Sequence, residues 1–323
     1  MFGKKKGAGG SAVLYASKKK KFSERLRFSF SHHYELYLLA LPTLIYVFIF
    51  CYIPIYGLQM AFQNFSIAKG FGESEWVGFK HFIKFFNSYQ FWPTLWNTVS
   101  LSFYSLIAGF FPPIILALLL HHVKARKFGK VVQMVTYAPH FISVVVLASM
   151  LRLMLSPSSG VINTMIEFFG GEEIDFMGSA NLFPHIYVWS GVWQGMGWGS
   201  IIYLSALCGI SPELYEAAKM DGAGEFQRIL HVDIPGLMPT IVTMLILNSG
   251  QIMNVGMQKV LLLQTPLNLE TSEIISTYVY KSGILSARYS YSAAVGLFQS
   301  VVNVIMLVTV NTISRKVSEN SLW

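Results

Sequence analysis

Six long apolar segments run through this chain of 323 residues, and they decide what it can fold into. A helix needs about 20 mostly apolar residues to cross a bilayer, and each segment is long enough. Only 12% of the residues are charged, about half the share found in soluble domains. The sequence therefore predicts an all-α integral membrane protein with six transmembrane helices. The predicted spans are Leu36–Met60, Pro93–His121, Val131–Leu155, Pro184–Ile210, Gly236–Leu263 and Tyr291–Ser314.

Lys and Arg residues are unevenly distributed around these spans. Nine of the 24 lie before His32, and alternate loops between the spans carry most of the others. Since cytoplasmic segments of membrane proteins are enriched in Lys and Arg, we expect both termini in the cytoplasm. Residues 1–33 are then a cytoplasmic basic tail, either a disordered anchor or an interfacial helix. Residues 34–314 form the six-span domain, and residues 315–323 form a cytoplasmic C-terminal tail.

A charged segment, Ser211–Pro235, separates the fourth and fifth spans. It holds five acidic residues and three basic or imidazole residues, so it must lie outside the hydrocarbon. Ser211 is a suitable helix N-cap, and Pro212 suits the first helical position. Gly222 is expected to interrupt this helix, and Pro235 is expected to end a second one. The charge distribution places the whole segment in the cytoplasm.

The sequence shows none of the common motifs for catalysis, nucleotide binding or metal binding. It contains no phosphate-binding glycine loop, no nucleophile elbow and no metal-binding cysteine or histidine cluster. His121 and His122 fall at a predicted helix end, where interfacial imidazoles explain them better than metal ligation does. We therefore expect no catalytic residues, no metal and no cofactor on this chain. The net charge of +8 is concentrated in the tail, so it does not indicate binding to nucleic acid.

The charged segment carries a gapped motif. Three residues separate Glu216-Ala217-Ala218 from Gly222, and nine more separate Gly222 from Val232. One further residue separates Val232 from Ile234 and Pro235. This resembles the EAA loop of the permease subunits of type I binding-protein-dependent ABC importers, in which the last positions read Ile-x-Leu-Pro. Asp221-Gly222-Ala223 and Pro239 also look like the sugar-importer branch. The chain length, the six spans and the start at Tyr34–Gly57 resemble the permeases that import oligosaccharides derived from polysaccharides, such as alginate, aldouronate and pectin fragments.

This resemblance implies a type I importer permease (MetI-like) fold and a set of partners. They are a homologous second permease subunit, two cytoplasmic ATPase subunits that bind ATP and Mg, and an extracytoplasmic solute-binding protein. Residues 211–235 would be the coupling loop in a bacterial cytoplasmic (inner) membrane. The resemblance assigns the ATPase contact to five residues: Glu216, Ala217, Ala218, Asp221 and Gly222.

Uncharged polar residues in the spans are candidates for a solute pathway. Asn248, Gln251 and Asn254 fall within about one third of the circumference of the fifth span. Amides exchange hydrogen bonds with sugar hydroxyls without the cost of burying a charge. Trp193 in the fourth span can stack on a sugar ring, and Asn303 in the sixth adds another amide. Packing between helices explains the same residues equally well.

Small residues and prolines mark places where the spans depart from regular packing. Gly191, Gly195 and Gly199 repeat every four residues in the fourth span, which allows close approach of another helix. Pro139 in the third span lacks a backbone donor, so a kink is expected there.

The solute itself is left open by the sequence. Four basic residues on the expected outer side are compatible with an acidic saccharide, but also with snorkelling at the interface. A permease for another solute remains an alternative, and so does a secondary transporter or channel that works without an ATPase. A membrane-embedded enzyme is disfavoured by the missing catalytic cluster. The four basic residues are Arg152, Lys259, Lys281 and Arg288.

Overall fold

The computed structural model describes residues 34–249 and 255–317, and nearly all regular structure in these residues is helical. A single small antiparallel ladder, within the described residues, pairs β1 (Gln63–Asn64) with β2 (Glu75–Trp76). The α-helices are α1 (Tyr34–Val47), α2 (Lys80–Phe86), α3 (Phe91–His122), α4 (Arg126–Tyr137), α5 (Val144–Met154), α6 (Val161–Phe168), α7 (Phe183–Cys208), α8 (Pro212–Met220), α9 (Glu225–Arg228), α10 (Ile234–Ser249), α11 (Met257–Leu263), α12 (Leu269–Ser272), α13 (Ile275–Tyr280) and α14 (Tyr289–Val317). Helical turns of other types cover Phe48–Tyr52, Ile53–Phe62, Ala138–Phe141, Ile229–Asp233 and Lys281–Leu285.

Four helical stretches of the described residues are long and apolar enough to cross a membrane. The two helices of a sharply bent pair, α4 with its following turn and α5, meet the same criteria together. Helix α7 has 26 residues, four of them glycines, and covers most of the fourth predicted span. These six pieces correspond to the six predicted spans, so the predicted all-α membrane fold is confirmed. The four long stretches are Tyr34–Phe62, Phe91–His122, Glu225–Ser249 and Tyr289–Thr312.

The third predicted span is not one straight helix. Arg126–Phe141 and Val144–Met154 meet at an angle of 100°. Pro139 lies in the short turn Ala138–Phe141 that ends the first stretch, and Ser143 begins the second helix by accepting a hydrogen bond from the Val146 amide at 3.3 Å. The predicted kink at Pro139 is therefore confirmed, and the predicted span Val131–Leu155 consists of two helices.

The fifth predicted span has different ends from those expected. The helix that starts at Glu225 continues into α10 through a wide turn, in which the Ile234 amide donates to the Ile229 carbonyl five residues back. Such a turn changes the bonding pattern, and the helix passes Pro235 although the proline nitrogen cannot donate. The prediction that Pro235 ends the second helix is wrong. The predicted span to Leu263 is also not one continuous helix, because Val255 and Gly256 are not helical and α11 begins at Met257.

Helices α3 and α7 pack along each other and form the centre of the segment that follows residue 57. Near their ends beside the charged segment, Ala117 and Leu207 pack with Leu237 of α10. A second cluster joins α7 to α11 through Val188 and Val260. These contacts place the charged segment at one end of α3, α7 and α10.

The N-terminal helical stretch is a unit of its own as far as Gly57. It begins as α1, continues through the wide turn Phe48–Tyr52, and none of the α1 side chains is buried. Its extent confirms the predicted first span. The predicted basic tail, 1–33, lies outside the described residues, as do 318–323 of the predicted C-terminal tail, so these assignments stay predictions.

Candidate functional site

The charged segment between α7 and α10 forms two helices joined by a tight turn. Ser211 caps α8 by accepting a hydrogen bond from the Glu213 amide at 3.3 Å, as predicted. Gly222 has a φ of +77°, a conformation that residues with a Cβ rarely adopt. The turn also lets the Ala223 amide donate to the Ala218 carbonyl at 2.9 Å, which ends the helix. The predicted interruption at Gly222 is thus confirmed. We call the segment Ser211–Pro235 the coupling loop.

The residues predicted to contact an ATPase lie on the accessible side of the coupling loop. Glu216, Ala217, Asp221 and Gly222 are exposed, and Ala218 is half-buried. Ala218 and Asp221 also line a shallow cleft of about 290 Å³, and the rest of its wall comes from the second helix. Those other lining residues are Ala223, Gln227, His231 and Val232.

Large apolar side chains are exposed beside the same cleft. Met220 at the end of α8 is 88% exposed, and Phe226 in α9 is 76% exposed. Leu214 in α8 is exposed as well. Apolar side chains grouped on an accessible loop are typical of surfaces that bind another protein. The assignment of this surface to an ATPase contact stays a prediction.

A buried carboxylate fastens the coupling loop to the membrane helices. Asp233 has no exposed surface. Its Oδ2 lies 2.6 Å from His122 Nε2 at the end of α3, and its Oδ1 accepts a hydrogen bond from the Tyr215 hydroxyl at 2.5 Å. A carboxylate only accepts, so both neighbours donate to it. Asp233 therefore connects α3 and α8 to the helix that leads into α10.

The surroundings of the Tyr215 hydroxyl keep it protonated, so that it donates a hydrogen bond. Burial raises the pKa of Tyr215, and the hydrogen bond to Asp233 raises this pKa further. The Tyr215 hydroxyl has one hydrogen, which it donates in the bond to Asp233. Its oxygen therefore accepts a hydrogen bond from His121 Nε2, which lies 3.3 Å away. The two histidines are thus parts of one polar cluster, and sequence reasoning missed it. His122 and Asp233 are 111 residues apart, so no local pattern shows their contact.

A cavity of about 430 Å³ lies against the opposite half of α7 and is bordered by α3, α10 and α11. Small-molecule sites in proteins span about 300–1,000 Å³, so it has the size of a ligand site. Its wall combines aromatic rings, glycines and a few polar groups. The lining residues are Ser105, Gly109, Phe110, Pro113, Tyr187, Val188, Gly191, Val192, Gln194, Gly195, Met196, Gly199, Tyr203, Met244, Asn248 and Lys259.

The structure separates the predicted pathway residues. Asn248 lines the cavity. Trp193 is 44% exposed and Asn303 is half-buried, and neither belongs to the cavity wall. Gln251 and Asn254 lie outside the described residues. A role for these five residues in transport stays a prediction.

The three glycines of the repeat line the cavity, and one of them also lies close to α3. Gly191, Gly195 and Gly199 all line the cavity, and a Cβ on Gly195 would meet no atom within 4 Å. The close backbone approach occurs at Gly197, where a Cβ would overlap the Thr136 carbonyl of α4. A Cβ on Gly199 would lie 3.2 Å from the Pro113 ring of α3, so the expected close approach of another helix is found at that glycine and not at Gly195.

Two polar residues of the cavity wall, Gln194 and Ser105, were missed by the sequence reasoning. Gln194 donates its amide to the Ile142 carbonyl at 2.7 Å, which connects α7 to the bend between α4 and α5. Its position three residues after Gly191 could have shown that it shares a helix face with the glycines. Ser105 has a buried hydroxyl with no hydrogen-bond partner among residues 34–249 and 255–317.

The family model described as binding-protein-dependent transport system inner membrane component matches residues 113–319. The chain is also 41% identical to the polygalacturonan/rhamnogalacturonan transport system permease protein YteP of Bacillus subtilis (strain 168). This alignment spans 313 residues, which are 97% of this chain and 96% of the relative.

Solved structures show a similar fold over most of the chain. One is a bacterial ABC transporter involved in the import of the acidic polysaccharide alginate, with a TM-score of 0.85 and 39% identity. The match covers 91% of this chain and 99% of the other. Another is the bacterial alginate ABC transporter in complex with alginate pentasaccharide-bound periplasmic protein, with a TM-score of 0.85 and 38% identity. That match covers 92% of this chain and 100% of the other.

Proposed function

This chain belongs to the family of binding-protein-dependent transport system inner membrane components, and from that premise we propose that it translocates oligosaccharides delivered by an extracytoplasmic solute-binding protein. The family makes it a multi-pass membrane component of an ATP-driven importer. The relatives named for polygalacturonan and for alginate support an oligosaccharide as the solute. The chain itself performs no covalent step in this proposal, and ATP and Mg bind to the partner ATPase subunits.

The coupling loop is the observation that carries the proposal. Its outer surface exposes Glu216 and Gly222, and its inner side is fixed by the buried Asp233. A force applied to α8 therefore reaches α3 through Tyr215, Asp233 and His122, and reaches α10 through the continuous helix. A loop exposed on one side and anchored on the other is suited to transmit the motion of a partner to the membrane helices.

The proposed cycle is alternating access. ATP-driven closure of two ATPase subunits brings the coupling loops of this chain and a homologous second permease together. The attached helices then open the pathway outward, where the binding protein releases its saccharide. Hydrolysis of ATP returns the helices and exposes the solute to the cytoplasm. In this scheme both termini and the coupling loop are cytoplasmic, in agreement with the Lys and Arg distribution.

The cavity beside α7 is the proposed place of the solute within this chain. Its volume of about 430 Å³ and its mixture of rings and polar groups suit a sugar, whose hydroxyls need partners and whose ring faces are apolar. Phe110 and Tyr203 supply aromatic surface, whereas Asn248 and Gln194 supply amides.

Co-purification tests the ATPase contact directly. The chain is expressed with the transport proteins encoded beside it, and the ATPase recovered with a tagged permease is quantified. Glu216→Lys reverses a charge on the exposed surface of α8 without removing a buried contact. We expect it to abolish recovery of the ATPase and ATP-dependent uptake of oligosaccharide, while insertion into the membrane is normal.

Glu167→Lys is the matched control. Glu167 is also exposed, lies in α6 and is expected on the opposite side of the membrane, so the same charge reversal there should leave ATPase recovery unchanged. Normal recovery and normal uptake with Glu216→Lys would refute the proposed contact. Absence of any ATPase from the wild-type preparation would refute the importer function as a whole.

A further inference from the structure

The wall of the cavity contains a buried cation, Lys259 of α11. Only 8% of this residue is exposed. Its Nζ donates to the Tyr187 carbonyl at 2.7 Å and lies 4.7 Å from the centre of the Tyr187 ring. The two contacts fix the ammonium group at one place in the cavity wall. Snorkelling to an interface, an alternative at the level of sequence, does not describe this buried side chain.

No carboxylate of the described residues, 34–249 and 255–317, lies within 4 Å of the Lys259 ammonium. Other basic residues on the expected outer side are compensated differently. Lys281 is paired with Glu273 at 2.5 Å and with the Gln264 side chain at 2.7 Å, and Arg152 donates to the Gln264 carbonyl. Burying a charge without a counter-ion is costly, so a protein keeps such a group where it has a use.

The surroundings leave the ammonium accessible from the cavity. Gly191 faces it, and a Cβ at that position would lie 3.2 Å from Nζ, so the absent side chain keeps the space in front of the cation open. The unpaired hydroxyl of Ser105 belongs to the same wall, as do the amides of Gln194 and Asn248. Among the residues that the structure describes, none of those lining the cavity is acidic. It therefore offers one positive charge and several neutral hydrogen-bonding groups.

We propose that Lys259 binds a carboxylate of the transported saccharide, so that the cavity of this chain selects uronate-containing oligosaccharides over neutral ones. This inference rests on the proposed function and adds to it the class of the solute and the residue that recognises it. A carboxylate supplies the counter-ion that the ammonium lacks, in a water-poor site where a charge-assisted hydrogen bond is strong. The aromatic rings and amides then contact the sugar rings and hydroxyls.

Equilibrium binding to the assembled importer in lipid nanodiscs tests this proposal without the binding protein. The two probes are trigalacturonic acid and its fully methyl-esterified form, which share a carbohydrate scaffold and differ in charge. We expect the wild-type complex to bind the free acid more tightly. Lys259→Met should lower the affinity for the acid by roughly 10- to 100-fold and leave that for the ester nearly unchanged. Lys259→Arg should retain the preference for the acid.

Lys84→Met is the matched control, because Lys84 also lies over a tyrosine ring, at 5.7 Å from the centre of Tyr291, but is exposed and outside the cavity. It should not change either affinity. Equal loss for both probes, or no preference for the acid in the wild type, would overturn the proposal.

Two further readouts separate this proposal from the function on which it rests. If Lys259→Met fails to assemble, the test uses the wild-type complex alone. Its preference for the free acid over the ester should decrease as the salt concentration rises, because salt screens an ionic contact. ATP-dependent uptake by the wild-type complex is measured in parallel. Uptake of neutral oligosaccharides alone would refute the role of Lys259 and leave the importer function standing. Uptake of no saccharide would refute the function itself.

Discussion

Asp233→Asn is the most informative change in the coupling loop, because it keeps the shape of the side chain and removes its charge. Tyr215 and His122 both donate to the Asp233 carboxylate, at 2.5 and 2.6 Å. An amide has a single acceptor atom, so at least one of these two bonds is lost or reversed. A hydrogen bond to a charged group contributes about 1.5–3 kcal/mol. That free energy is removed from the anchoring of α8, which is otherwise short and largely exposed.

Hydrogen–deuterium exchange of the reconstituted chain measures this loss. If α8 opens as a local unit, the protected amide hydrogens that follow Pro212 in α8 should exchange about 10- to 150-fold faster in Asp233→Asn, the factor that corresponds to about 1.5–3 kcal/mol. Amides in the centre of α7 should be unaffected. The variant should still insert into the membrane, but ATP hydrolysis should no longer drive uptake efficiently.

Glu225→Gln makes the same chemical change at an exposed position of the coupling loop. Glu225 pairs with Lys124 at 2.8 Å, and both side chains are in contact with solvent. Exposed ion pairs contribute little, so exchange in α8 should change by about twofold or less. Equal protection of α8 in the two variants would show that the buried cluster does not anchor this helix.

Two other predictions concern glycines. Gly222→Val places a β-branched residue at a φ of +77°, which costs about 1–2 kcal/mol or more, and it should reduce the amount of ATPase recovered. Gly224→Ala, at a φ of −67°, should not reduce it. Gly197→Ala brings a methyl group against the Thr136 carbonyl, so the free energy of unfolding of the purified chain should fall by about 1–3 kcal/mol. Gly195→Ala, where a Cβ meets nothing within 4 Å, should be nearly neutral, and equal stability of these two variants would contradict the close packing.

Local features of the coupling loop were predictable from the sequence. The Ser211 cap and the Gly222 turn depend on neighbouring residues only, and both are found where the sequence places them. The same reasoning failed at Pro235. A proline is expected to stop a helix when the regular bonding pattern is assumed, and the wide turn at Ile229–Asp233 replaces that pattern.

The cavity was predictable only in part. Asn248 was identified by its polarity within an apolar span, and it lines the cavity. Lys259 was assigned to a group of four basic residues that the sequence could not tell apart. The structure distinguishes it, because burial and the distance to the nearest acid are properties of the packed chain. Gln194 went unnoticed since one amide in a span has no distinctive pattern.

The sequence by itself determined that this chain is a helical membrane protein, the approximate positions of its apolar segments, and which loop carries the motif of its family. These are consequences of hydrophobic length, charge and short-range backbone preferences, all of which act over a few neighbouring residues. Tertiary structure alone decided that Asp233 meets His122 and Tyr215, and that Lys259 faces a cavity opened by Gly191. Such contacts join residues far apart in the chain, and they form only when α3, α7, α10 and α11 pack together.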